Sequence, residues 1–101
     1  MIPKGCTWRD TFEFPFPKDD VKAIFITYSQ KGKTVFEKKM NDCVFGEGVV
    51  SVDLLQEDTL KLDEKAGVVN IQIRVRLNDD TTIKSNILET YTDTVLKEGV
   101  I

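Results

Sequence analysis

A chain of 101 residues has room for one hydrophobic core, and 41% hydrophobic with 31% charged residues is the balance of a globular domain. The net charge of −3 argues against a generic nucleic-acid or anionic-membrane surface, which needs an excess of Lys and Arg. No apolar run has the length that crosses a bilayer. The start, Met1-Ile2-Pro3-Lys4-Gly5-Cys6, lacks the apolar core of a secretory signal and reads as native.

Period-two alternation dominates the chain. Trp8, Phe12 and Phe14 share one face of a first strand, with Asp10 the exception among them, and Thr7, Arg9, Thr11 and Glu13 share the other. Pro15 and Pro17 end it, and Pro17-Lys18-Asp19-Asp20 has turn composition. A second strand runs from about Val21 to Ser29. Its run Ala23-Ile24-Phe25-Ile26 suggests a central strand covered on both sides. Gln30-Lys31-Gly32-Lys33 turns it into a hairpin partner, Thr34 to Lys39.

After the Asn41-Asp42 turn come a short strand at Cys43-Val44-Phe45 and another turn at Gly46-Glu47-Gly48. Val50, Val52 and Leu54 then face one way along the strand Val49–Leu54. Gln56 to Leu60 lacks β alternation and reads as one helical turn crossing between sheets, followed by a polar loop over Lys61–Lys65. Gly67 to Leu77 carries the strongest strand signal. Val69, Ile71, Ile73 and Val75 form its apolar face, and Asn70, Gln72, Arg74 and Arg76 its polar one. Asn78-Asp79-Asp80 turns the chain into a strand over Thr81–Tyr91, with Ile83 and Ile87 as apolar positions. Asp93 and Gly99 suit the N-cap and C′ positions of a short closing helix.

About seven short strands with turns every 8–12 residues predict an all-β fold. The expectation is an Ig-like antiparallel β-sandwich filling residues 1–101 as one domain, with a helical turn near 56–60. A small barrel is the competitor. Cys6 and Cys43 allow one pairing, but reduced thiols are expected.

The chemistry of catalysis is thinly represented. With no His, the commonest general base and metal ligand is missing, and Ser-His-Asp and Cys-His arrangements are excluded in their usual forms. Gly46-Glu47-Gly48 precedes a strand, whereas a phosphate loop needs a helix behind it. The doublets Asp19-Asp20, Glu57-Asp58, Asp63-Glu64 and Asp79-Asp80 fall in expected turns and read as solvated. No calcium-loop spacing occurs. The expectation is therefore a non-enzyme without cofactor or metal. Gln72, Arg74 and Arg76 are either a solvated sheet face or a polar contact surface. Trp8 is favoured as core by its face; exposed, it would anchor a partner or, with Tyr91, stack on a sugar.

Several segments carry a resemblance that spans nearly the whole chain. Gly5-Cys6-Thr7-Trp8-Arg9-Asp10-Thr11-Phe12-Glu13-Phe14-Pro15-Phe16 resembles the opening of small phage and prophage proteins of Gram-positive gut bacteria. There Gly-x-Thr leads into Phe-x-Phe and a Pro-Phe element. Leu54-Leu55-Gln56-Glu57-Asp58-Thr59-Leu60 is similar to that group's Leu-Thr-Gln-Glu-Asp-Thr-Leu stretch. Val69–Val75, Ser85-Asn86-Ile87 and Val95–Ile101 follow in the same order. The group in turn resembles the N-terminal domain of the siphophage baseplate upper protein. The resemblance implies a tail- or baseplate-associated structural role, with other phage structural proteins or further copies of the chain as partners. It implies a life in the host cytoplasm during assembly and then in the virion, and it brings no catalytic residues. Leu55 and Cys6 depart from the pattern, Leu55 standing where Thr is expected. The baseplate upper protein continues into a long C-terminal region, so a chain stopping at Ile101 is expected to be an adaptor, a decoration or a freestanding subunit.

Overall fold

A computed structural model describes all residues from Met1 to Ile101. The strongest alternation in the sequence becomes its central strand. β6 (Val68–Leu77) turns Val69, Ile71, Ile73 and Val75 into the core and the residues between them outward. On one side β6 pairs with β2 (Val21–Gln30), which pairs in turn with β3 (Lys33–Lys39). On its other side lie two short strands, β7 (Thr82–Lys84) and β8 (Leu88–Tyr91). The second sheet has the order β1 (Trp8–Glu13), β5 (Val49–Leu54), β4 (Cys43–Gly46), and every pairing in both sheets is antiparallel.

This is the Ig-like sandwich, with the connectivity readable strand by strand. β1, β5 and β4 occupy the B, E and D positions; β3, β2 and β6 occupy C′, C and F; β7 and β8 share the G position. The N-terminal segment adds no strand beside β1, only a parallel bridge between Ile2 and Thr92. The E-to-F crossover is α1 (Gln56–Leu60), as the loss of alternation there predicts. The tight β2–β3 turn places Lys31 and Gly32 at φ of 51° and 76°, the left-handed pair a two-residue hairpin turn demands.

The inner faces close on one cluster that includes Ile24, Ile26, Tyr28, Val50, Val52 and Leu54. Tyr28 is fully buried on the C strand; its ring stacks on Phe36 at 4.5 Å between centroids. Its hydroxyl donates to Asp10 Oδ2 at 2.6 Å. This explains the polar exception on the inward face of β1: Asp10 is the acceptor that lets a tyrosine be buried there.

A second polar clamp holds the crossover. Thr59 on α1 is completely buried, and its hydroxyl donates to the Cys6 carbonyl at 2.8 Å while accepting the Cys6 N–H at 3.1 Å. Lys38 reaches inward from β3 to Asp58 Oδ2 at 2.6 Å, both side chains nearly buried. Burial opposes ionisation of Asp58, but the hydrogen bonds from Lys38 and the Leu55 N–H outweigh it and hold the carboxyl below its ordinary range. Lys4, also buried, bonds Glu64 at 2.5 Å and Glu98 at 3.3 Å. Asp58 and Glu64 are thus structural ion-pair partners and not solvated turn acids.

Four expectations fail locally. Thr81–Tyr91 is not one strand: at Ser85 the side-chain hydroxyl accepts the Ile73 N–H at 3.0 Å, breaking the ladder between β7 and β8. No helix forms over Asp93–Gly99, because the Asp93 carboxylate that would cap it accepts the Lys4 N–H at 2.9 Å. A segment this short has little helical stability of its own. The Lys61–Lys65 loop is polar except for Leu62, which is 1% exposed and belongs to the core. β2 is covered on one face only, so Phe25 points outward. Cys6 and Cys43 are both free.

Candidate functional site

Two outer sheet faces are available for contact, and they differ in how far they satisfy themselves. On the B-E-D face, Arg9 is gripped in a two-point contact by Asp53, at 2.7 and 3.0 Å, and each group stabilises the other's charged form. Beside this pair, the hydroxyls of Thr11 and Ser51 bond each other at 2.9 Å. Those two pairs satisfy the middle of that face, while Glu13 at the end of β1 and Val44 on β4 stay exposed.

The C′-C-F-G face is open. Strand register aligns Lys39, Phe25, Arg74 and Lys84 in one row across four strands, Lys39 opposite Phe25, Phe25 opposite Arg74, and Arg74 opposite Lys84. Lys39, Arg74 and Lys84 are all exposed, and none is within ion-pair distance of a carboxylate. Phe25 lies among them 39% exposed. One step along, Arg76 faces Thr82 and leans toward Asp80 at 3.8 Å. The opposite way, Glu37, Thr27 and Gln72 form the next row. Beyond it a shallow polar basin of about 350 Å³ is lined by side chains such as Ser29, Thr34, Glu37, Asn70 and Arg74.

The sequence-expected surface is therefore only partly assembled. Arg74 and Arg76 share the face as expected, and Arg74 is the unengaged one. Gln72 lies on it too, but half-buried and donating to the Ser85 carbonyl at 3.2 Å. Trp8 belongs to the other sheet. It is 38% exposed, so the core assignment from periodicity is corrected: it begins β1 at the rim of the sandwich, and its Nε1 donates to Asp10 Oδ1 at 2.8 Å. Tyr91, 55% exposed, sits at the end of β8. Phe25, Lys39 and Lys84 were not singled out from the sequence. Only pairing register brings them to Arg74.

No group of three or more Cys, Asp or Glu side chains converges as metal ligands would. The Cys43 thiol is half-buried, and burial with the nearby Asp42 charge raises it to about 11, far from a reactive thiolate. Between the open edges of β1 and β7 lies an apolar groove of about 320 Å³, formed by Phe14, Pro15, Phe16, Ile73, Val75 and Ile83. Comparison with protein-family models, with curated proteins and with solved structures returned no match to the chain.

Proposed function

We propose that this chain is an assembly protein of a phage or prophage tail or baseplate that works through protein–protein contacts and catalyses no reaction. The phage setting rests on the ordered resemblance of Gly5–Phe16, Leu54–Leu60 and Val69–Val75 to small phage structural proteins. The contact role rests on one observation: the C′-C-F-G face carries a row of cations with no carboxylate in ion-pair reach and an exposed phenylalanine among them, whereas the arginine of the B-E-D face is held by Asp53. On this reading the protein is made in the host cytoplasm and ends in the virion, beside other phage structural proteins or further copies of itself. Affinity purification of the tagged chain from an induced lysogen should recover a tail or baseplate protein in stoichiometric amount. Recovery of the chain alone, with intact virions also lacking it, would refute the proposal.

A carbohydrate-binding module is the second reading, favoured by the exposure of Trp8 and Tyr91. A glycan array decides it. Binding lost in both Trp8→Ala and Tyr91→Ala supports the module, and a blank array removes it.

A further inference from the structure

We infer that the partner of the C′-C-F-G face is an acidic protein segment that carries an apolar side chain, seated on the row Lys39–Phe25–Arg74–Lys84. The inference rests on the reading that the chain works through protein contacts. Arg74 and Lys84 stand directly opposite each other on neighbouring antiparallel strands, and like charges so placed weaken a sheet. A Glu at position 84 would remove that repulsion without disturbing the core, since Lys84 is exposed on an edge strand. The repulsion is relieved if an anion lies across both side chains. Lys39 extends the cationic row to the far side of Phe25, so the row spans roughly 14 Å, three strand spacings.

The surroundings limit what that anion is. Glu37 and Glu89 flank the row on one side, and Asp79 and Asp80 lie at the turn on the other. Carboxylates on both sides of the row disfavour the continuous negative charge of a phosphate backbone, and the chain as a whole carries −3. A short acidic patch meets the cations and avoids the acids. Phe25 supplies the apolar centre: bare between two cationic stems, it is covered by a complementary apolar side chain and not by a carboxylate. Arg74 can meet a carboxylate with two parallel N–H donors, which sets the orientation of the segment.

The test is NMR titration of the ¹⁵N-labelled chain at low salt with three probes: a Glu-rich dodecapeptide with a central Leu, its Lys-for-Glu counterpart, and a twelve-nucleotide oligothymidylate. The expected result is saturable shifts at Phe25, Lys39, Arg74 and Lys84 with the Glu peptide only. Binding should weaken at least tenfold in Lys84→Glu and at least threefold in Phe25→Ser. Lys84→Glu should also raise the melting temperature, because it turns a like-charge pair into an attractive one, so lost binding cannot be blamed on lost folding. Shifts that map away from the row, equal binding of the Lys peptide, or tighter binding of the oligonucleotide at the row would each overturn the inference. If a tail protein co-purifies with wild type and with Lys84→Glu alike, the assembly role stands and the inference fails. If no tail protein is recovered while the Glu peptide binds the row, the phage assignment fails and the inference holds.

Discussion

Replacing Tyr28 by Phe removes one oxygen from the core and leaves its packing in place. The ring keeps its stack on Phe36 at 4.5 Å, but Asp10 loses the donor at 2.6 Å and retains only the Trp8 Nε1–H. A hydrogen bond to a charged acceptor contributes about 1.5–3 kcal/mol net. Asp10 is half-buried, which places the loss in the lower part of that range, about 2 kcal/mol. With an unfolding entropy of about 2.1 cal/mol/K per residue, that is a fall in Tm of about 10 °C for a chain of this length. Urea unfolding of Tyr28→Phe, Asp10→Ala and the double variant forms a cycle, with a coupling energy of about 1.5 kcal/mol or more expected. The buried phenol has a pH signature as well. Burial, reinforced by the Asp10 charge, raises the Tyr28 phenol above its ordinary value of 10.0. A raised folded-state value means the stabilisation is fully present below pH 10 and is lost as pH rises above it. Tyr28→Phe should therefore flatten the alkaline decline relative to wild type. A coupling below 0.5 kcal/mol would refute the assignment of Asp10 as the buried tyrosine's acceptor, and parallel alkaline declines would refute the burial of its phenol.

Two further outcomes follow from the crossover. Asp58→Asn leaves Lys38 charged and nearly buried, at a cost of about 3 kcal/mol, whereas Lys38→Met with Asp58→Leu should lie close to wild type in urea denaturation. Because the folded-state Asp58 carboxyl is depressed below 3.8, its contribution is present above that pH and lost as pH falls through the lower folded value. Wild type should therefore show a steeper acid loss than the Met/Leu variant between pH 5 and 2. At the start of α1, Asp58 Oδ2 accepts the Leu55 N–H at 2.8 Å, one half of a capping box. Leu55, 54% exposed, has no side-chain oxygen to complete it. Leu55→Thr, which installs the residue expected at that position, should raise stability by about 0.5–1 kcal/mol in thermal melts.

The strands were legible because each has one wet and one dry face, and a period of two records that directly. Val69 to Val75 and Val50 to Leu54 are placed as their alternation requires. Parity names a face, however, and not how far the core extends beneath it. Trp8 has the inward parity of Phe12 and stands opposite the buried Leu54, but β1 is an edge strand and leaves the indole partly open. Phe25 was hidden because Ile24 and Ile26 on either side make the run look continuous. The broken edge at Ser85 and the missing C-terminal helix depend on partners distant in sequence, Ile73 and Lys4, that take the groups local propensity would have used. The contact face was half legible for the same reason. Arg74 and Arg76 share a strand, whereas Lys39, Phe25 and Lys84 reach Arg74 only through register.

Two of the segments that carry the phage resemblance brace one another in the fold. Cys6 of the first clasps Thr59 of the second, and the third is the central strand of the larger sheet. They lie in the scaffold of the sandwich, away from the row Lys39–Phe25–Arg74–Lys84 except at Arg74 itself.

The interruption at Ser85 bears on how such a protein survives crowding. A sheet margin of uninterrupted rungs is a template on which a neighbour's backbone can zip, and growth of that kind has no natural end. Here the margin offers three residues, then a hydroxyl that has already taken the next amide, then four more. That margin therefore offers a neighbouring backbone no continuous run to extend, unlike the opposite margin, where β3 runs its seven residues unbroken.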